Sequence, residues 1–363
     1  MKATVAEHHR PTKHKDAPTL LDGFTDADGM EVRYVHVEDE SRNSQTLHER
    51  QRWIADADKA LRQHLDWKGP EDTPDKEIIL HNPVSRAVYN SPAMREWRTK
   101  LVPSAKALYP MQRPNSSHLP SGGEVDPLAR SFFFDAIDSI GIRTRARIMG
   151  SIMEEHALPG EANRWVSLAS GAAVPVFDAA ARFDVSMNLA IDLVDYDQNA
   201  LDFAQQLARQ QPIEGASIRM HRRNLVKDMI ATDSLVQDLG EETIGMVDAL
   251  GIFEYFDDQR SVLFLKNAYR LVQPGGVMVA ANMLSDRPEL DFNQRGIGWP
   301  KIFPRSRSQL KQLLTRAGVP LDCVTMTIPE DRVYVVAEIK RQQLQASCSK
   351  EKRLKRSSLA PRR

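Results

Sequence analysis

Ala169, Ser170, Gly171, Ala172 and Ala173 stand in a row after the apolar run Val166-Ser167-Leu168. A ligand approaches a backbone closely only where side chains are small. Where such a turn opens a helix, it also offers N–H groups with no partner of their own. A second apolar run, Leu189 to Val194, ends in Asp195. A carboxylate at a strand tip suits a ribose diol, whose two hydroxyls both donate to it. Asp195 lies 24 positions after Gly171, near the spacing of about 20 expected for that pairing. Asp197, nearer the next helix, reads as its cap. A third run ends at Asn224 and Leu225, and Asn224 has both donor and acceptor for an adenine edge. A fourth ends at Leu250-Gly251, and the turn after it places Glu254 or Tyr255 near a transferable group. The plainer alternatives are a packing turn at 169–173, simple caps at Asp195 and Asp197, and a turn asparagine at Asn224.

These residues need a scaffold that brings strand tips together. From Gly160 onward apolar strands alternate with helices. Strands are predicted at Trp165–Leu168, Leu189–Val194, Ser217–His221, Ile244–Leu250 and Gly276–Asn282, with Gln273-Pro274-Gly275-Gly276 as the turn before the last. Helices are predicted at Val174–Phe183, Asn199–Gln210, Met229–Leu239, Ser261–Leu271 and Arg307–Ala317. Cys323–Ile328 and Val333–Ile339 complete the expected set of seven strands. The class is α/β, a doubly wound, mostly parallel sheet with right-handed crossovers. In such sheets ligands sit outside the carboxyl ends of the strands.

Upstream, residues 1–45 are polar and expected as a disordered arm, although Gly29–Val37 alternates as a short strand would. Residues 46–125 read as a helical accessory region, with one helix over Thr46–Trp67 and a second stretch, Pro83–Leu108, split by Pro92 and Pro103. Tyr109–Asp126 is rich in Pro, Ser and Gly and reads as a linker. Residues 126–340 form the main domain, beginning with helices from Pro127 to His156 that lid the sheet. Residues 341–363 are a basic tail, expected to be disordered.

The ordered set from Trp165 to Ile339 resembles the class I S-adenosylmethionine (SAM)-dependent methyltransferases. Ala249-Leu250-Gly251-Ile252-Phe253-Glu254-Tyr255-Phe256 and the Gln273–Gly276 turn look much like that family's later motifs. The first motif departs from it. The family shows an acid and then glycines at alternate positions, where this chain has Ser167-Leu168-Ala169-Ser170-Gly171-Ala172-Ala173. The resemblance implies SAM as cofactor, held by Ala169, Ser170, Gly171, Ala172, Asp195, Tyr196, Asn224, Leu225, Leu250 and Gly251. A small-molecule acceptor would meet Tyr255, Arg287, Arg295, Trp299 and Arg143, or Arg145 beside it. Glu254 and Tyr255 are the candidate catalytic groups. Trp299 and Pro304–Leu310 are also similar to a bacterial branch associated with methyl-ester formation on hydroxy fatty acids. Methyl transfer needs a base only if the acceptor must lose a proton, as a hydroxyl must and a carboxylate need not.

Lys+Arg and Asp+Glu balance at 49 each, so there is no overall basic excess to attract nucleic acid. The two cysteines, Cys323 and Cys348, can form no disulfide framework, and neither has metal-ligand spacing around it. The N-terminus with His8, His9 and His14 has no apolar core of a signal peptide, and no run reaches the ~18 apolar residues of a membrane span. A cytoplasmic location is expected. Two other functions compete. A nicotinamide-dependent oxidoreductase would carry G-x-G-x-x-G after the first strand, which Ser170–Pro175 does not supply. A non-catalytic SAM-binding protein is compatible with the altered glycine motif.

Overall fold

The computed structural model describes residues 17–69, 82–158, 162–183, 187–211 and 213–343. His8, His9 and His14, residues 70–81 after the first predicted helix, and the basic tail from Lys350 lie outside the described residues.

The strands are β1 (Thr19–Thr25), β2 (Glu31–His36), β3 (Asn163–Leu168), β4 (Leu189–Asp195), β5 (Ala216–Arg222), β6 (Ile244–Ala249), β7 (Val272–Met283), β8 (Val324–Pro329) and β9 (Tyr334–Lys340). They form one sheet in the order β1-β2-β8-β9-β7-β6-β3-β4-β5. The block β7-β6-β3-β4-β5 is parallel, and β9 runs antiparallel between β7 and β8. The sheet therefore has nine strands, not seven. The additional pair is the antiparallel hairpin β1–β2, whose second strand lies parallel to β8, pairing Val32 with Met326. Residues 17–45 are thus not a loose arm. β1 is exposed along its whole length, so its sequence carries no buried-face alternation to reveal it. β2 buries Val32 and Val35, and it was visible only as a weak alternation.

Successive residues of the central strands serve opposite faces. Val166 and Leu168 of β3 enter a core shared with Phe264, Leu265 and Leu310, whereas Trp165 enters the core on the other face with Met149, Phe177 and Leu201. The helices behind these cores are α6 (Ile137–His156), α7 (Val174–Ala180) and α8 (Gln198–Gln210) on one side. On the other are α9 (Ser234–Leu239), α10 (Asp258–Leu271) and α11 (Arg307–Arg316). Their starts follow from local chemistry. Asp257 caps α10 by accepting from Arg260 N–H, and Ser306 with Gln309 forms a reciprocal capping box on α11.

A third core lies against the sheet's carboxyl edge. It joins α1 (Leu47–Gln63), α2 (Pro83–Val88), α3 (Pro92–Glu96), α4 (Tyr109–Gln112) and α5 (Pro127–Asp135) to Met283, Phe292, Ile297 and Tyr334. Pro92 opens α3 behind the capping Ser91, which is how that proline divides the region. The 109–126 stretch is packed rather than a free linker, with Met111, Leu119 and Val125 all buried. Among the described residues, no helix is long and apolar enough to cross a membrane.

Candidate functional site

The carboxyl ends of β3, β4, β5 and β6 surround one cleft of about 820 Å³, within the ~300–1,000 Å³ usual for small-molecule sites. Ala169, Ser170, Gly171, Ala172, Asp195, Tyr196, Asn224, Leu225, Leu250 and Gly251 all line it. Its facing wall comes from Pro103, Ser104, Ala105 and Leu108, with Arg145, Tyr255 and Trp299 at one end. A larger depression of about 940 Å³ lies among Ser44, Pro92, Glu96, Asp126 and Arg130 and includes none of the strand tips.

The turn after β3 holds an unusual backbone. Ala169, Gly171 and Ala173 all have φ near +55°. That conformation is free for glycine and costs an L-residue roughly 1–2 kcal/mol. Two alanines therefore occupy left-handed positions on either side of one glycine. Ser170 N–H donates to the Val194 carbonyl at 3.1 Å, tying the turn to β4. Gly171 N–H donates to Asp195 Oδ2 at 2.8 Å. Gly171 is needed for space as well, since a Cβ there would lie 2.8 Å from the Ala105 methyl carbon. Ser170 Oγ is buried and has no protein partner. Buried hydroxyls are seldom left unpaired, and this one belongs to the cleft wall.

Asp195 does more than face the cleft. Its Oδ1 accepts from Asp197 N–H at 2.9 Å while Oδ2 holds Gly171. A carboxylate has about four acceptor sites, so each oxygen can still receive a ligand hydroxyl. Burial pushes its pKa above the ordinary value, and the two backbone donors oppose that. Asp197 caps α8 through Asn199 N–H, as expected. Asn224 serves partly as a turn residue, its Oδ1 accepting from Lys227 N–H at 3.2 Å. Leu225 is buried beside it, and Tyr196 stands exposed with Arg222 over its ring.

Most of the acceptor-facing arginines are engaged elsewhere. Arg143 is buried, with Nε and Nη2 on Asp39 at 2.8 and 2.7 Å and its remaining bonds on the carbonyls of Met111, Phe133 and Phe134. Arg287 donates to Asp138 and lines neither the cleft nor the cavity beside it. Arg295 donates to the carbonyls of Leu61, His64 and Trp67, holding the carboxyl end of α1. Trp299 does reach the cleft, and its Nε1 donates to the Tyr255 hydroxyl at 3.0 Å.

Arg145, two residues beyond Arg143 on α6, is the arginine that enters the site. Nη1 donates to the Leu250 carbonyl at 3.0 Å and lies 3.4 Å from Glu254 Oε1, and the guanidinium stacks 4.1 Å over the Tyr334 ring. Gly251 makes room for it, because a Cβ there would come within 3.3 Å of Nη2. Glu254 is buried, which pushes its pKa up against the opposing charge of Arg145. The Phe253–Tyr255 turn is clasped by Arg305, which donates to the carbonyls of Phe253 and Phe256. Arg305 fell within the Pro304–Leu310 likeness, but its positioning role was not apparent there. The 103–108 wall lies at the end of the predicted Pro83–Leu108 helical stretch, beyond the split at Pro103, and nothing in its residue types marked it as facing a ligand.

No family model and no curated protein matches the chain. Among solved structures it is similar to a possible exported protein from Bordetella parapertussis, at 19% identity and a TM-score of 0.58, over 80% of this chain and 95% of that one. The SAM-dependent methyltransferase SibL in its apo form aligns at 14% identity and a TM-score of 0.45, over 71% of this chain and 75% of its own. The CurJ carbon methyltransferase aligns at 14% and 0.46, over 84% and 94%. The first likeness is one of fold. The other two are looser and extend it to no activity.

Proposed function

We propose that this chain is a SAM-dependent methyltransferase acting on a small-molecule acceptor. The observation that carries this is the convergence of four strand tips on one cleft, with a left-handed small-residue turn hydrogen-bonded to the acid of the neighbouring tip. The residues present fit the cofactor. Asp195 retains acceptor capacity for a ribose diol. Ser170, whose buried Oγ has no protein partner, lines the same space as the rest of the 169–172 turn, and Leu225 offers an apolar surface beside the free amide NH2 of Asn224 for adenine. Arg145 is placed to pair with the cofactor's carboxylate.

When bound, SAM supplies a methyl group already activated by the sulfonium charge. The chain's own part is to hold the donor and the acceptor in line and to keep water out. A nicotinamide oxidoreductase is less well supported. Its sheet order is 3-2-1-4-5-6, whereas here the antiparallel β9 stands between β7 and β8. Two acceptor classes suit in-line transfer: a carboxylate, as in the methyl-ester-forming branch, which needs no base, and a hydroxyl, which does.

Incubation with methyl-labelled SAM and a panel of alcohols, phenols, amines and carboxylic acids tests the proposal. Label is expected in one acceptor class. Tight SAM binding with no transfer to any of them would instead indicate a non-catalytic SAM-binding protein.

A further inference from the structure

A second cavity adjoins the cleft. Its volume is about 40 Å³, enough for a few water-sized groups. It shares Leu108, Arg145, Gly251, Tyr255 and Trp299 with the cleft, so a group in it lies against the same side chains as a ligand in the cleft. Trp97, Met283 and Ile297 supply apolar wall, and the rings of Trp97 and Trp299 stack with centroids 6.1 Å apart.

The polar lining is unbalanced. Glu254 Oε2 and Asp138 Oδ2 are both buried and receive no hydrogen bond. Their other oxygens are engaged. Glu254 Oε1 faces Arg145, and Asp138 Oδ1 accepts from Arg287 Nη1 and from Asn293 Nδ2 at 3.0 Å. Each carboxylate thus already has its countercharge, and each still lacks a donor. A buried acceptor left without a donor is unfavourable and rare.

We infer that this chamber receives the reacting end of the methyl acceptor, and that the acceptor is a neutral molecule presenting an O–H or N–H to Glu254, not a carboxylate. The inference rests on the reading of the cleft as a SAM site. An incoming carboxylate would bring a further negative charge toward two carboxylates and would supply no donor. Of their two arginines only Arg145 lines the chamber, where it already serves Glu254 and the cofactor's carboxylate, and the unpartnered Arg287 Nη2 lies outside the lining. A hydroxyl or amine supplies the missing hydrogen bond. As its lone pair forms the new bond to the methyl carbon, the carbon–sulfur bond breaks, and that electron pair stays on sulfur. The acceptor's proton passes to Glu254 Oε2. The sulfonium becomes a neutral thioether and the glutamate a neutral acid, so charge and atoms balance. Burial of Glu254 raises its proton affinity and favours that transfer.

The experiment is a ligand-observed NMR titration of the whole protein, saturated with S-adenosylhomocysteine, using phenol, aniline and benzoate at neutral pH. Phenol and aniline are expected to bind about tenfold or more tightly than benzoate. Glu254→Gln is expected to weaken phenol binding about tenfold, the loss of a hydrogen bond to a charged group, and to lower the melting temperature because Arg145 loses its buried countercharge, while the variant still melts cooperatively. Asp138→Asn, which alters the other unpaired carboxylate, is expected to weaken binding of aniline, which has a second N–H to donate, and serves if the first variant misfolds. Equal binding of benzoate, unchanged phenol affinity in Glu254→Gln together with unchanged aniline affinity in Asp138→Asn, or no binding by any probe would overturn the inference while leaving the cofactor site intact. Failure of S-adenosylhomocysteine itself to bind would overturn both.

Discussion

Arg143 and Arg145 stand two residues apart on α6 and do different work. Arg143 is locked to Asp39 and three carbonyls, so it fastens the segment after β2 to the lid helix. Burial alone would raise the Asp39 pKa, yet the hydrogen bonds and charge of Arg143 hold it below the ordinary range. Arg143→Ala leaves that buried carboxylate with only Arg147 at 3.4 Å and the Ser41 N–H. A loss of about 3 kcal/mol in denaturant unfolding is expected, the lower end for a broken buried pair, with SAM affinity unchanged in whatever fraction folds. Arg145→Ala is expected to weaken SAM binding about tenfold at a smaller cost in stability, as read by calorimetry and urea titration together. Sequence offered both arginines equally, because charge and spacing do not say where a guanidinium's five donors end. The acid and the small residues at the strand tips were legible for the opposite reason. Their placement follows from the strand they terminate.

At the scale of elements, the β3–α7 turn is where composition and conformation conflict. Ala169 and Ala173 occupy left-handed backbone, and such strain persists where the surrounding structure imposes it. Ala169→Gly is expected to raise stability by about 1 kcal/mol, whereas the same change at a negative φ lowers it. A destabilised variant in thermal unfolding would show that the turn carries no strain. The alternating family glycines pointed to this turn, but its dihedral angles are invisible in a sequence that spells it with alanine.

β6 carries a second element-scale feature, the buried Asp248. It accepts from Trp165 Nε1 at 2.7 Å and from Ser167 Oγ at 3.1 Å, and burial pushes its pKa up to about 7. An unfolded chain ionises this group from pH ~4 upward, while the folded protein keeps it protonated. The folded state then binds the extra proton, so stability falls as pH rises between about 4 and 7, by at most about 1.4 kcal/mol per pH unit from this group. Asp248→Asn is expected to flatten that part of the stability–pH curve. Parallel wild-type and variant curves from pH 4 to 7 would contradict the assignment.

Across the whole molecule, the alternation of strands and helices after residue 162 was readable because each central strand is mostly apolar and buried on both faces, with Asp192 and Asp248 as isolated exceptions. The β1–β2 hairpin was not, since its partner β8 lies almost three hundred residues on and its edge strand is exposed. The same holds for the chamber beside the cleft. Asp138, Glu254, Asn293 and Tyr334 come from four separate stretches of chain and meet only through the packing of the N-terminal helices on the sheet's carboxyl edge. Pattern within a window locates elements, and long-range packing decides which side chains share a space.

The central claim is that the strand-tip cleft is a SAM site, and calorimetric titration of the whole protein with SAM and with NADH tests it most directly. Saturable one-to-one binding of SAM is expected, weakened at least about tenfold by Asp195→Ala, with no heat from NADH. Binding of NADH together with no binding of SAM at millimolar concentration would contradict it.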